Sequence, residues 1–211
     1  FIAAGALAAL VATACRASAR QTPAAAPAAT MPAAGAPADA DSTRRGSAAD
    51  VRFMQQMIAH HAQALAMTGL VPTRTGRDAI RLLAERVEVS QRDEIAAMQR
   101  WLKRRGEQVP GADAHHDHGA ADQAPMPGML TPAELAELAG ASGALFDRLF
   151  LERMIRHHEG ALTMVADLFA TPGAAQESEV FRFASDVDAD QRAEIARMRA
   201  VLAARGGAAP Q

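Results

Sequence analysis

The fold is decided by one stretch of sequence, Asp50-Val51-Arg52-Phe53-Met54-Gln55-Gln56-Met57-Ile58-Ala59-His60-His61-Ala62-Gln63-Ala64-Leu65-Ala66-Met67. Plotted at about 100° per residue, its apolar and imidazole side chains form two neighbouring stripes along a helix. One stripe holds Phe53, Met57, His60, Ala64 and Met67, and the other holds Met54, Ile58, His61 and Leu65. The pattern predicts a helix that is buried on two sides, with the two adjacent histidines in different environments.

The same pattern is repeated later in the chain. The matching pairs, at a constant offset of 97, are Asp50 and Asp147, Phe53 and Phe150, Met57 and Met154, Ile58 and Ile155, His60 and His157, His61 and His158, Ala64 and Ala161, Leu65 and Leu162, and Met67 and Met164. Residues 91–102 and 191–202 also match each other. Two helix hairpins that cannot each bury their apolar faces alone will pack together. We therefore predict an all-α fold, an antiparallel four-helix bundle made of two repeated helix hairpins.

Composition agrees with helices and excludes some functions. Of the 211 residues, 49% are hydrophobic but only 4% are aromatic, with no tyrosine, which favours close-packed helices over sheets. The formal net charge of −2 offers no global attraction to nucleic acid, so no nucleic-acid partner is expected. No glycine-rich phosphate loop follows a strand, and no serine nucleophile elbow is present. Whether the protein is an enzyme is left open, with a non-enzymatic role favoured.

The start of the chain predicts export. Residues 1–14 carry no charge. The small residues at the end of this run lead into Cys15, the single cysteine. Such a run is too short to span a membrane and is typical of the end of a signal peptide. The basic residues and the initiator methionine that begin a signal peptide are not in the sequence, so we expect the signal segment to be clipped at its start. It resembles a bacterial lipoprotein signal, which makes Cys15 the candidate for a lipid anchor. A plain signal peptide cleaved nearby is the alternative. A periplasmic or membrane-anchored protein is expected.

Composition and helix signals divide the chain into five segments. Gly106 follows a basic helical end, and Thr131-Pro132-Ala133-Glu134 forms a capping box with proline at the first helical position. The predicted segments are a signal or lipobox-like segment over 1–15, a flexible Ala/Pro-rich tether over 16–47, the first helix hairpin over 48–106, a loop rich in His and Met over 107–130, and the second helix hairpin over 131–206.

The repeated histidines and methionines predict a metal site. In the first copy His60 stands between Met57 and Met67 on one stripe, and the second copy reproduces this set as Met154, His157 and Met164. Thioether with imidazole suits copper(I), and imidazole also suits copper(II) and zinc. Carboxylate-bridged di-iron bundles need Glu-x-x-His, which occurs before none of these histidines. Methionine at helical spacing is commonly core filler, but histidine pairs flanked by methionine in both copies favour copper, with zinc as the alternative ion. His61 and His158 are second-choice ligands.

Further residues are weaker candidates. His115, His116 and His118 lie in the loop, followed by Met126 and Met129, and this loop could equally be a solvated linker. Met98 and Met198 could add thioethers on the partner helices. Glu94 and Glu194 also recur between the copies. They are expected either to accept hydrogen bonds from imidazole N–H groups or to form surface ion pairs with arginine.

Residues 53–67 and 146–161, with the lead-in Met126-Pro127-Gly128-Met129-Leu130-Thr131, resemble the domain-of-unknown-function 305 family of exported bacterial proteins. The resemblance covers about residues 50–204 and implies a ferritin-like antiparallel helical bundle. For some members it implies periplasmic copper binding linked to copper tolerance. Leu151 replaces the methionine found at the matching position, Met54, so the two copies are expected to differ in affinity.

Together these features predict an exported metal-binding protein that sequesters or delivers copper. Two alternatives stay open. A ferritin-like metalloenzyme would require a carboxylate within bonding reach of an interior histidine. A metal-free interaction module would require the histidine pairs to face solvent on a contiguous apolar patch.

Overall fold

Helix α1, Ala48–Thr68, contains the stretch from Asp50 to Met67 with its two apolar stripes. Its start is fixed by a capping box, in which the Asp50 N–H donates to the Ser47 hydroxyl at 3.1 Å and the Ser47 N–H donates to the Asp50 carboxylate at 2.7 Å. The second carboxylate oxygen of Asp50 accepts from the N–H of Ala175 at 2.7 Å. The buried Asp50 therefore fixes the start of α1 and ties it to a distant part of the chain.

The computed structural model describes residues 46–111 and 126–206. The regular secondary structure in these ranges is helical, with no strand among them. The remaining helices are α2 (Val71–Arg74), α3 (Asp78–Arg105), α4 (Pro132–Gly140), α5 (Gly143–Ala170) and α6 (Ser178–Gly206). Helix α3 ends at Gly106, whose φ of 70° is left-handed, and α4 begins with the predicted Thr131 capping box. The prediction of an all-α fold is confirmed. The four-residue α2 was not predicted.

The long helices contact one another in antiparallel pairs. Near the start of α1, Gln55 donates to the carbonyl oxygen of Gln108 beyond the end of α3, whereas His61, further along α1, contacts Glu94 earlier in α3. Helices α5 and α6 behave alike, because His158 contacts Glu194 and the ring of Phe169 lies 5.5 Å from that of Phe181.

Two more pairs of helices are in contact. Helix α1 runs antiparallel to α5, with Asp50 beside Ala175 at one end and His60 against His157 at the middle. Helix α3 also contacts α6. The middles of α1 and α5 therefore meet where the histidines lie.

The buried side chains form two apolar clusters that divide the methionines between them. The first cluster contains Met54, Met57, Met98 and Met164 with Trp101 and Phe53. The second contains Met67, Met154 and Met198 with Phe146 and Phe150. Each cluster thus draws on both copies of the repeat. No helix in the described part of the chain combines the length and the hydropathy that a membrane span needs.

Candidate metal centre

His60 and His157 meet face to face where α1 contacts α5. Their ring centroids are 3.8 Å apart at an interplanar angle of 34°, and both residues are at most 1% exposed. His157 Nε2 donates to the backbone carbonyl oxygen of His60 at 3.0 Å, and His60 Nε2 donates to that of Pro127, also at 3.0 Å. A carbonyl oxygen can only accept, so both Nε2 atoms carry the proton and both Nδ1 atoms carry a lone pair.

Both of these imidazoles are uncharged at neutral pH. Burial, together with the charge that nearby His61 would carry, lowers the pKa of His60 from 6.5 to about 3. Burial first, and then the neighbouring His60, lower the pKa of His157 well below its ordinary value. Neutral imidazole is the form that binds metal. The Nδ1 atom of His60 is buried and has no hydrogen-bond partner within the described structure.

The second histidine of each pair faces a glutamate on the partner helix of its own copy. His61 Nε2 contacts the Glu94 carboxylate, and His158 Nε2 lies 2.6 Å from Glu194 Oε2. The glutamate side chains are only 12% and 8% exposed. Of the two roles expected for these glutamates, the structure shows contact with imidazole. The Nδ1 atoms of both histidines are buried and unpartnered within residues 46–111 and 126–206.

The four methionines predicted as first-choice ligands are buried, but each predicted set is divided between the clusters. Met57 lies in the first cluster and Met67 in the second, while Met154 lies in the second and Met164 in the first. The structure therefore groups methionines from the two copies rather than the two from one helix.

A short backbone segment, residues 126–131, lies over the histidine pair. The Gln63 amide holds it twice, since Gln63 Nε2 donates to the Leu130 carbonyl oxygen at 3.0 Å and the Leu130 N–H donates to Gln63 Oε1 at 2.7 Å. The segment passes so close to α5 that a Cβ on Gly160 would lie 2.0 Å from the Pro127 carbonyl oxygen. Met126 and Met129, predicted as weaker ligands, are half-buried in this segment.

The sequence pattern did not predict some of the residues that build this region. Gln63 and Gly160 stand at matching positions of the repeat but differ in side chain. That difference is the available signal that segment 126–131 contacts both α1 and α5. Gln91 and Gln191 were also missed as members of the interior. Both are at most 1% exposed, and in the described structure both amide atoms of Gln91 and the amide nitrogen of Gln191 have no hydrogen-bond partner. Their matching positions, three residues before Glu94 and Glu194, were the available signal.

A polar groove of about 700 Å³ lies between α3 and α6 outside the histidine pairs. Glu94, Glu194 and Asp190 line it together with Asp93. Burial, and then the charges of Glu94 and Glu194, raise the pKa of Asp190. Arg86 and Arg197 line the groove as well, so the carboxylates that contact His61 and His158 border a groove that carries both signs of charge.

The donor chemistry limits the kind of ion that this interior can hold. Among residues 46–111 and 126–206, no three side chains of His, Cys, Asp or Glu converge in a way that could hold a metal ion. Buried methionines and buried imidazoles are both present in this interior, and thioether with imidazole is a donor combination that suits copper(I). His115, His116 and His118 lie outside the described residues, as does Cys15.

Comparison with known proteins shows the family. The model of the family described as "Domain of unknown function (DUF305)" matches residues 50–202. A DUF305 fragment from Deinococcus radiodurans is similar at 32% identity and TM-score 0.63, covering 75% of this chain and 97% of that one. A DUF305 protein from Streptomyces coelicolor, described as secreted, is 28% identical with TM-score 0.64, covering 75% and 94%.

The protein CopM in its Cu(I)-bound form is 26% identical with TM-score 0.57, covering 75% of this chain and 98% of that one. CopM structures with Cu(II) and with Ag are similar as well. The comparison with curated protein sequences found no match. Because the family model spans more than half of the chain, this protein belongs to the DUF305 family.

Proposed function

We propose that this protein is an exported copper-binding protein that sequesters copper or delivers it, in a role linked to copper tolerance. The observation that carries the proposal is the buried set of neutral or carboxylate-paired histidines with unpartnered Nδ1 atoms, flanked by buried methionines. Leaving a buried polar atom without a partner costs about 1–3 kcal/mol. Bound ions that accept the lone pairs of His60, His61 and His158 would offset that cost.

The kind of ion follows from the donors and is supported by the relatives. Thioether and neutral imidazole, without a thiolate, suit copper(I), with zinc as a weaker alternative through imidazole. The similarity to CopM structures holding Cu(I), Cu(II) and Ag supports copper, since silver(I) is a soft ion of the same charge as copper(I). The proposed ligands are Met57, His60, His61 and Met67 of the first copy and Met154, His157, His158 and Met164 of the second.

We infer the finer architecture and location on the same terms. The four antiparallel contacts between long helices support a bundle of two hairpins, 48–106 and 131–206, related by a pseudo-two-fold axis. The His/Met-rich loop 107–130 and the tether 16–47 complete the proposed organisation. Export, and a lipid anchor at Cys15, are proposed from the sequence, and a relative described as secreted supports export.

The metalloenzyme alternative has one specific observation in its favour. Its stated requirement, a carboxylate within bonding reach of an interior histidine, is met by Glu94 at His61 and by Glu194 at His158. However, each of these carboxylates contacts one histidine, and no set of three such ligands converges in the described parts of the chain. The interaction module is less favoured, because all four of these histidines are buried.

The test is an anaerobic copper(I) titration of the full chain against a colorimetric chelator. Wild type is compared with two double variants, His60→Ala/His157→Ala and His61→Ala/His158→Ala. We expect tight binding by the wild type and weaker binding by at least one double variant. Equal binding by all three proteins would place copper elsewhere and exclude these sites. Circular dichroism checks that each variant is folded.

Met54→Leu is the matched control for any methionine variant. Met54 is buried in the first cluster on the same helix as Met57, and its counterpart in the second copy is already Leu151, which is also buried. Leucine and methionine differ little in volume, so the exchange typically costs less than about 1.5 kcal/mol. Copper binding by Met54→Leu should match the wild type.

A further inference from the structure

One large side chain of the first copy is replaced by a much smaller one in the second. Trp101 is 1% exposed and lies in the first apolar cluster with Val187 of α6. The Arg105 guanidinium stacks over its ring, 3.9 Å from the centroid, and Gly46 lies directly against the indole. At the matching position of the second copy, offset by 100, stands Val201. The space that an indole fills in the first copy therefore has no indole in the second.

An apolar groove of about 330 Å³ lies at this position, between the start of α3 and the end of α6. Its apolar lining consists of Ala79, Leu82, Leu83, Val87, Ala200 and Val201. Leu82 is 51% exposed, whereas its counterpart in α6 is the charged Arg182. The groove is thus more apolar than the matching surface of the other copy, and its volume is in the range of small-molecule sites. Apolar surface retained at only one of two related places indicates a binding site.

Glu194 gives the apolar groove one polar atom that lacks a donor. Its Oε2 atom lies 2.6 Å from His158 Nε2, whereas its Oε1 atom accepts no hydrogen bond from any described residue, and the side chain is 8% exposed. In the first copy the matching oxygen of Glu94 accepts from the Ser90 hydroxyl at 3.5 Å. The residue that matches Ser90 is Asp190, which as an ionised carboxylate can only accept. A ligand in the groove would have to supply the missing donor.

Charge near the apolar groove favours a cationic donor. The groove shares four lining residues with the polar groove between α3 and α6, namely Leu82, Arg86, Glu194 and Arg197. The carboxylates of five residues line the polar groove, against the guanidinium groups of Arg86 and Arg197. This excess of negative charge attracts an ammonium group and repels an anionic one.

We propose that the apolar groove binds a small aromatic amine, with its ring against Val201 and its ammonium group donating to Glu194 Oε1. The ring takes the place that the Trp101 indole has in the first copy, and the ammonium group takes the role of the Ser90 hydroxyl. Val201 follows Glu194 by two helical turns on the same face of α6, about 10 Å along the axis, so a bicyclic ring with a short aliphatic amine can reach both. The groove lies outside the buried histidine pairs, and binding there does not depend on copper.

The first experiment titrates the full chain, with EDTA present, with three indoles that share a ring and differ in charge. Tryptamine carries an ammonium group, indole carries no charge, and indole-3-acetate carries a carboxylate. Methyl ¹H–¹³C spectra report binding at the leucines and valines of the groove. We expect saturable shifts at Leu82, Leu83 and Val201, with tryptamine binding most tightly and indole-3-acetate most weakly. Equal affinity for tryptamine and indole-3-acetate, or saturable shifts confined to methyl groups elsewhere, would overturn the proposal.

The second experiment gives the groove the residues of the first copy. Val201→Trp should fill the groove and abolish saturable tryptamine binding. Leu82→Arg should do the same by a surface exchange that needs no repacking of the core. Asp190→Ser, which supplies a hydroxyl donor and removes a negative charge, should weaken tryptamine several-fold and leave indole unchanged. Leu145→Arg is the matched control, because Leu145 is also 51% exposed but lies on α5 outside the groove. Wild-type affinity for tryptamine in both Val201→Trp and Leu82→Arg would refute the site.

Discussion

Acid should destabilise this protein through its buried histidines. His60 has an ordinary pKa of 6.5 and a folded pKa of about 3, because burial disfavours its charged form. Between these two values the unfolded chain binds a proton at this residue that the folded protein does not bind. The free energy of unfolding therefore falls as pH falls through this range, by at most about 1.4 kcal/mol per pH unit for one histidine.

The magnitude for a change from pH 7 to pH 5 follows from the same two pKa values. Linkage gives a loss of about 2 kcal/mol from His60 alone, since at pH 5 the unfolded residue is almost fully protonated. The pKa of His157 is lowered in the same direction, so His157 adds to this loss. Even about 2 kcal/mol is a substantial part of the about 5–15 kcal/mol by which ordinary domains are stable.

The assay is urea unfolding of the apo protein at pH 7, 6 and 5, with EDTA present and helicity followed by circular dichroism. The comparison protein is the double variant His60→Gln/His157→Gln, which keeps an uncharged side-chain N–H donor at both positions. We expect the difference in stability between pH 7 and pH 5 to be smaller in the variant by at least about 2 kcal/mol. The same pH dependence in both proteins would refute the reasoning.

Three further outcomes are expected. Gly160→Ala should lower the free energy of unfolding by about 1–3 kcal/mol, since its Cβ would meet backbone at Pro127, whereas Gly140→Ala, with open space around its Cβ, should not; thermal unfolding compares them. Gln63→Leu should cost about 2–4 kcal/mol in urea unfolding, because it removes both hydrogen bonds to Leu130 and leaves buried backbone groups unpaired. Copper(I) at about 100 times its dissociation constant should stabilise the wild type by about 2.7 kcal/mol per site, seen as a raised melting temperature; an unchanged melting temperature would contradict binding to the folded state.

The fold class was predictable because helical period, caps and an internal repeat all agree. Local signals set the helix ends, because each one fixes the end of a helix at its own position in the sequence. These signals are the capping boxes at Ser47 and Thr131 and the left-handed Gly106. Helix α2 was missed because its four residues are too few to show a period, and because Pro72 is as typical of a turn as of a first helical turn.

The sequence predicted which types of residue line the site, but only partly which of them lie together. A repeat identifies which residues correspond, so the imidazole contacts of Glu94 and Glu194 could be expected as one of two alternatives. Whether Met57 lies with Met67 or with Met98 depends on how helices cross, and that is decided by packing between residues far apart in the chain. Spacing along a single helix favoured Met67, whereas the structure puts Met57 in the cluster of Met98.

The two halves of the site are related by the repeat but are not equivalent. The cause is segment 126–131, which contacts the two halves differently. Gln63 binds that segment through its side chain, whereas its counterpart Gly160 lacks a side chain so that the segment can approach the backbone of α5. A glycine inside a helix costs about 1 kcal/mol relative to alanine, so its presence here requires a compensating contact.

The same asymmetry reaches the histidines. His60 Nε2 donates to Pro127 in this segment, whereas His157 Nε2 donates to the backbone of His60 itself. Any movement of the segment therefore acts on His60 directly and on His157 only through His60. If copper occupies both halves, this unequal support, together with Leu151 in place of Met54, predicts two binding steps of different affinity. A titration that fits a single affinity would show that the segment has no influence on the metal.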